Sequence, residues 1–192
     1  MPHAKKWFIS GRKIEVSDKM QRYAYMLEYN AGTNLKNGGY VGEEKIRHDD
    51  FEPFYTPQQM LRMGVFEGKY MTDGYEEFPK EWFASAKMVN PGDPPDVSLN
   101  YFGIKSRLSL KEWRRKGWTP CHKLDKDIRG WFQWYCRYWI GRRIPEVDTI
   151  QIKRWKAFVR HFAQVEKHAK GRLDKRPRQR QALLQWSWNC EV

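Results

Sequence analysis

The sequence predicts a mainly α-helical, compact domain with a small β-hairpin near its N-terminus. Helix-capping residues stand at Thr56, Ser109 and Asp148, apolar residues recur at helical spacing, and Gly or Pro residues bound the segments. The chain has 192 residues, of which 40% are hydrophobic, so it can bury a core of its own. We therefore expect one folded unit.

The first predicted elements are a hairpin and a helix. Residues 7–16 read as two short strands around a turn at Gly11, since glycine tolerates the positive φ of such turns. Ser17 can then cap a helix over about 18–29, where apolar residues share one face.

Two further helices are predicted before residue 90. Thr56 and Gln59 have the spacing of a capping box, and Pro57 occupies the first helical position. This helix should end at Gly64. A second helix is expected over 80–88.

A Pro- and Gly-rich linker at 90–96 divides the chain into two parts of one unit. Residues 1–89 hold the hairpin, the first helices and an acidic loop, and residues 97–192 form a basic, Trp-rich helical part. In the second part, Ser109 and Glu112 have the spacing of another capping box.

Three helices are predicted after residue 127. Residues 128–140 carry aromatic side chains at i, i+3, i+4 and i+7, which predicts an amphipathic helix. Asp148 and Gln151 would cap a long helix over about 149–170, and Pro177 can start a final helix.

The charge is concentrated in the second half of the chain. The formal net charge is +13, yet residues 1–100 hold 13 basic and 15 acidic residues, and residues 101–192 hold 23 basic and 8 acidic ones. Such segregation favours a polyanionic partner over a generally solvated surface. We expect DNA, as a duplex with an extruded base or as a single strand. The residues expected to contact it are Arg137, Arg142, Arg143, Lys153, Arg154, Lys156, Arg160, Arg176, Arg178 and Arg180.

Eight of the ten Trp residues follow residue 100, where they alternate with basic residues. Helical spacing is what core packing requires, so most of them are expected in the core. One or two could instead stack on unpaired or extruded bases.

Several classes of protein are disfavoured by what the sequence lacks. It has no GxxxxGK[ST] or GxGxxG phosphate loop, no zinc-deaminase signature, and no metal-ligand spacing around its three cysteines. No signal-peptide-like segment or membrane-length apolar run is present. We therefore expect a soluble cytoplasmic monomer, with no cofactor, no metal and no membrane partner.

Carboxylates are the candidate catalytic groups, because acidic side chains in an otherwise basic surface call for a functional explanation. The segment GVFEGKYMTDGYEEFP places four acids on a Gly-rich loop that could form a pocket wall, namely Glu67, Asp73, Glu76 and Glu77. A second pair, Asp125 and Asp127, precedes the Trp-rich helix. A negative charge near a helix N-terminus interacts favourably with the helix dipole, and this structural role explains the pair equally well.

Five strings, EFPKEWFASAK, LNYFGIKSRLSLKEWRRKGW, DIRGWFQWYCRYWIGRR, IQIKRW and PRQRQALLQW, carry a resemblance over residues 52–188. They resemble a family of small proteins, mostly of unassigned function, found in phages, giant viruses, bacteria and fungi. In size and setting, the chain also resembles bacterial antiphage DNA glycosylases that excise glucosylated hydroxymethylcytosine. It lacks the GxG hairpin of helix-hairpin-helix glycosylases and the motifs of uracil glycosylases.

The glycosylase resemblance implies that a modified base is flipped out and excised, which leaves an abasic site. A carboxylate would stabilise the oxocarbenium-like transition state or activate water, with Asp73 as first candidate and Asp127 as second. Lys69 could alternatively attack the sugar as an amine. The side chains expected to bind the substrate are Tyr70, Glu77, Trp131, Trp134 and Tyr135. The alternative is a non-enzymatic DNA-binding or packaging protein, and nuclease or RNA-binding roles stay open.

Overall fold

The computed structural model describes residues 51–72, 74–117 and 127–192, together with four short strands among the first fifty residues. The described part is mainly helical, as predicted. Its α-helices are α1 (Pro57–Met63), α2 (Leu110–Arg115), α3 (Trp131–Trp139), α4 (Pro145–Lys156), α5 (Val159–Ala169) and α6 (Pro177–Gln185). Single 3₁₀ turns lie at Phe66–Gly68, Tyr75–Glu77, Lys80–Trp82 and Val97–Leu99.

The strands form two antiparallel pairs, in which β1 (Lys5–Lys6) pairs with β4 (Gly32–Thr33) and β2 (Lys13–Ser17) pairs with β3 (Arg22–Met26). The helix predicted over 18–29 is therefore wrong, since a strand occupies its centre. The segment RYAYM places two tyrosines at alternate positions, and aromatic residues favour strands. The hairpin predicted over 7–16 falls partly outside the described residues.

Both capping boxes are present as predicted. Thr56 Oγ1 accepts a hydrogen bond from the Gln59 amide (3.0 Å), and Gln59 Oε1 accepts one from the Thr56 amide (2.8 Å). Gly64 ends α1 with a φ of 105°. Ser109 and Glu112 repeat the reciprocal arrangement at the start of α2. Local hydrogen-bond chemistry therefore sets these two helix starts.

Two predicted helices differ in the structure. The helix predicted over 80–88 is only the 3₁₀ turn at 80–82. The long helix predicted over 149–170 is two helices, because α4 ends at Lys156 and α5 begins at Val159. Asp148 is not the cap of α4, which begins at Pro145; its Oδ2 instead accepts a hydrogen bond from the Ile144 amide (2.9 Å). Proline is well suited to the first helical position, since its missing N–H has no helical partner to lose.

Helix α3 lies at the centre of the core, and every residue from Trp131 to Tyr138 is buried. Phe51 packs edge-on against three aromatic rings, those of Tyr135, Tyr138 and Trp155, with centroids 5.0–5.8 Å apart. Most tryptophans of the predicted amphipathic helix are thus core residues. No helix in the described part of the chain has the length and apolar character needed to cross a bilayer.

Candidate functional site

A cavity of about 400 Å³ opens beside the N-terminus of α3. The turn around residues 66–72, residues 91–92, the segment leading into α2 and the end of α6 complete its wall. Its volume lies in the range of small-molecule sites, and its lining is largely apolar. The aromatic side chains that line it are Phe66, Tyr70, Trp113, Trp131, Phe132 and Trp186.

The turn that forms one wall is strained. Phe66, Glu67 and Met71 all have left-handed backbone conformations, with φ between 55° and 61°. Two hydrogen bonds hold the Glu67 backbone, since its amide donates to Asn100 Oδ1 and its carbonyl accepts from the Asp96 amide, both at 2.9 Å. Strain of this kind persists only where the surroundings enforce it, and it is frequent at functional sites.

The cavity is cationic as well as aromatic. Lys69, Arg107 and Arg129 line it, and no Asp or Glu is found among the described lining residues. Arg107 is paired with the buried Glu67 at 2.8 Å, and the Lys69 ammonium donates to the Asp93 carbonyl. Within the described lining, the field therefore favours an anionic group.

Three lining residues carry buried donors that have no acceptor among the described residues. These donors are the indole N–H of Trp131, the side-chain amide nitrogen of Gln185 and the Nε–H of Arg107. Trp131 is 3% exposed and Gln185 is 4% exposed. A buried donor without a partner costs about 1–3 kcal/mol, so a ligand that accepts these hydrogen bonds would recover that cost.

Tyr70 forms an uncharged part of the cavity wall. Its hydroxyl donates to the Arg129 carbonyl, and its ring packs against Phe66 and Phe132 with centroids 4.6 and 5.3 Å away. Burial raises the pKa of Tyr70 well above its ordinary value. The phenol therefore stays protonated and provides a ring surface rather than a base.

Asp127, one of the two predicted catalytic acids, lies in a buried ion network outside the cavity lining. It is 1% exposed and accepts hydrogen bonds from Arg137 Nη1 (2.7 Å) and Arg142 Nη1 (2.9 Å). Arg137 also binds Glu77 through Nε at 2.8 Å. Asp127 and Glu77 thus hold α3 to neighbouring segments. Asp73, the other predicted acid, lies outside the described residues.

Of the predicted substrate-binding residues, Tyr70 and Trp131 line the cavity. Trp134 and Tyr135 are completely buried elsewhere in the core. The Trp134 indole donates to Asp148 Oδ1 (2.8 Å), and the Tyr135 hydroxyl donates to the Tyr55 carbonyl (2.7 Å). Both side chains are therefore structural, because their polar groups are bonded within the protein.

The predicted phosphate-binding residues divide into two groups. Arg137, Arg142 and Arg180 are at most 1% exposed, so their assignment to a phosphate-binding surface is corrected. Arg180 donates to main-chain carbonyls of residues 172, 175, 190 and 192 at 2.6–3.0 Å. The exposed members are Lys153, Lys156, Arg160 and Arg178, and the partly buried ones are Arg143, Arg154 and Arg176.

Arg143 and Arg176 each have a local protein partner. Arg143 donates to the Tyr138 carbonyl at 2.6 Å, and its guanidinium carbon lies 3.6 Å from the centroid of the Tyr138 ring. Arg176 Nη1 donates to Gln179 Oε1 at 2.9 Å. Among the predicted phosphate-binding residues, the exposed cations therefore lie on α4, α5 and the start of α6.

Sequence reasoning missed several lining residues, among them Arg107, Arg129, Gln185 and Trp186. Trp186 is one of the eight tryptophans that follow residue 100, and this is the sequence feature that could have pointed to it. The other three come from separate segments and meet only in the folded chain.

Neither family models, curated proteins nor solved structures yield a match to this chain. Among the described residues, no three His, Cys, Asp or Glu side chains cluster as a metal site.

Proposed function

We propose that this protein binds DNA, accepts one extruded base in the aromatic cavity and excises that base by hydrolysis. The observation that carries the proposal is the combination of six aromatic side chains, three unpartnered buried donors and three cationic side chains around one cavity. A nucleotide offers the matching chemistry, because it joins a planar ring that bears acceptors to a phosphate.

The aromatic lining supports a planar ligand. Every base has a π face, and stacking of a base on an aromatic side chain contributes about 1–3 kcal/mol. The Trp131 and Gln185 donors add hydrogen bonds to ring nitrogens or carbonyl oxygens. A cavity of about 400 Å³ leaves space beyond an unmodified pyrimidine ring, which favours a base with a bulky substituent.

The charge distribution supports a polymeric rather than a free ligand. Besides the three cations at the cavity, Lys153, Lys156 and Arg160 are exposed on or beside α4 and α5. Several cations on one protein surface can neutralise several phosphates of a nucleic acid and release the counterions bound to them.

The excision step depends on Asp73. Asp73 directly follows Thr72, which lines the cavity. In the proposed reaction, water adds to C1′ of the sugar, the N-glycosidic bond breaks with its electron pair going to the base, and the base leaves with a proton. A carboxylate beside C1′ stabilises the positive charge that develops there.

A second candidate function is DNA binding without excision. It is favoured by one observation, namely that no carboxylate lines the cavity among the described residues. In that case the cavity captures the extruded base and releases it unchanged.

An abasic-site assay separates the two functions. Duplexes with one glucosylated hydroxymethylcytosine, hydroxymethylcytosine or cytosine are incubated with the protein, and alkaline strand cleavage is measured. We expect cleavage at the glucosylated base and its loss in Asp73→Asn, with DNA affinity retained. Glu76→Gln, which changes an exposed acid in the same loop, is the matched control and should stay active. If the unmutated protein leaves all three duplexes intact, binding without excision replaces the enzymatic function.

The cavity itself is tested by Gln185→Leu, which removes the amide donor with little change in size. We expect weaker binding to a duplex with an extruded base and unchanged binding to a fully paired duplex. Equal affinity of both proteins for both duplexes would show that the extruded base binds elsewhere.

A further inference from the structure

Five aromatic rings form a continuous stack from the core to the surface. Tyr135 stacks on Trp131 (4.9 Å, 24°), and Trp131 lies 4.9 Å from Trp186 at 31°. Trp186 stacks on Phe158 (4.5 Å, 21°), and Phe158 stacks on His161 (4.8 Å, 23°). Trp131 and Trp186 also line the cavity, so the stack passes along the cavity wall.

The stack changes from buried to exposed along its length. Tyr135 is completely buried, Trp186 and Phe158 are partly buried, and His161 is exposed. The interruption between α4 and α5 places Phe158 just before α5, and His161 follows three residues later on the same helix face. Core packing accounts for the buried rings, but it does not require an exposed imidazole at stacking distance.

The outer end of the stack lies in a strongly basic segment. Residues 153–170 contain six Lys or Arg residues and a single acid, Glu166. Lys156 and Arg160, which flank Phe158 in sequence, are both exposed. Exposed rings among cations are what single-stranded nucleic acids bind, because bases stack on the rings while cations neutralise the phosphates.

We propose that the outer part of this stack, Trp186, Phe158 and His161, binds unpaired bases of a DNA single strand next to the extruded base. The inference rests on the proposed function in that it takes DNA as the partner, and it adds a strand-binding surface that begins at the cavity wall with Trp186 and extends outward to His161. His161 is the outermost platform, on which a neighbouring base continues the stack. Because every base can stack, this surface binds with little sequence preference.

Three variants of the full chain test the surface. His161→Ala removes the outermost ring, His161→Phe keeps an aromatic ring without the imidazole, and His168→Ala removes another exposed histidine of the same helix. His168 has no ring contact among the described residues, so it is the matched control for loss of an imidazole. Affinity is measured by fluorescence anisotropy for a short single strand and for a paired duplex of the same length.

We expect His161→Ala to weaken single-strand binding about 5- to 100-fold, which corresponds to one lost stacking contact. His161→Phe and His168→Ala should bind the single strand nearly as well as the unmutated protein. Duplex affinity should be unchanged in all three. A single strand with abasic positions should bind to the unmutated protein at least as weakly as the intact strand binds to His161→Ala, because it loses every stacking contact.

Other outcomes identify which proposal fails. Equal single-strand affinity of all variants, or tight binding of the abasic strand, would overturn the stacking surface and leave the cavity proposal standing. Failure of the unmutated protein to bind any DNA would overturn the proposed function itself. Preferential binding of RNA over DNA single strands would retain the surface but overturn DNA as its partner. Circular dichroism of each variant shows that the fold is intact.

Discussion

Glu67 and Arg107 form an ion pair at the cavity wall, with 2.8 Å between Oε2 and Nη2. Glu67 is 2% exposed and has a left-handed backbone with a φ of 55°. Arg107 Nη2 also donates to the Phe66 carbonyl at 3.3 Å, so one guanidinium holds two consecutive strained residues. The ion pair therefore stabilises the strained backbone that gives the cavity wall its shape.

Glu67→Ala is expected to destabilise the protein by about 3 kcal/mol, because it removes the partner of a largely buried guanidinium. Glu67→Gln keeps the side-chain shape and the hydrogen-bonding capacity toward Asn100, so a loss of about 1–2 kcal/mol is expected. Urea unfolding measures both. Equal free energies of unfolding for the two variants would show that the hydrogen bonds retained by Gln contribute nothing, whereas a Glu67→Gln protein as stable as the unmutated one would show that the charge contributes nothing.

Gly64→Ala should be among the most destabilising small substitutions in the chain. A Cβ at Gly64 would lie 1.9 Å from the Leu99 carbonyl oxygen, and φ is +105°. We expect a loss of about 3 kcal/mol or more, since backbone must move. Gly103→Ala is the control, because φ is +60° but nothing lies within 4 Å, and only about 1 kcal/mol of backbone strain is expected. Thermal melts that show similar losses would contradict the close approach.

Arg178 and Arg180 should behave differently although they are two residues apart. Arg178→Ala removes an exposed cation, so the slope of log K against log salt for DNA binding should fall by about one unit with Tm unchanged. Arg180→Ala leaves four main-chain carbonyls without their donor, so a loss of several kcal/mol in stability is expected. A stable Arg180→Ala protein with a flatter salt slope would place Arg180 on the proposed DNA-binding surface.

Asp148 makes stability depend on pH. Burial raises the pKa of Asp148 above its ordinary value, against the lowering effect of hydrogen bonds from Trp134 and Ile144. The folded state thus holds the Asp148 proton more tightly than the unfolded state, so the contribution of Asp148 to stability falls as pH rises from the unfolded toward the folded pKa. The stability of the unmutated protein relative to Asp148→Asn should therefore decrease over this window and level off above it. Chemical unfolding at a series of pH values checks this; a difference that grows with pH would reverse the sign.

Local structure is predictable from the sequence wherever a few neighbouring residues determine the conformation. The capping boxes of Thr56 with Gln59 and of Ser109 with Glu112 are predictable because each closes within four residues. The capping pattern at Asp148 predicts the wrong helix start, because α4 already begins at Pro145. The helix predicted over 18–29 is wrong because a strand within this range pairs with Lys13–Ser17.

The helical class, two helix starts and the concentration of charge in the second half are predictable, since these follow from composition and from contacts between near neighbours. Which cations face solvent, in contrast, depends on the folded chain. Arg178 is exposed and Arg180 is buried, although they stand two positions apart on one helix. The cavity was likewise decided by folding, because Arg107, Trp131 and Gln185 come from distant segments. Whether a side chain is buried or paired depends on which distant segments pack around it. No pattern of neighbouring residues carries that information.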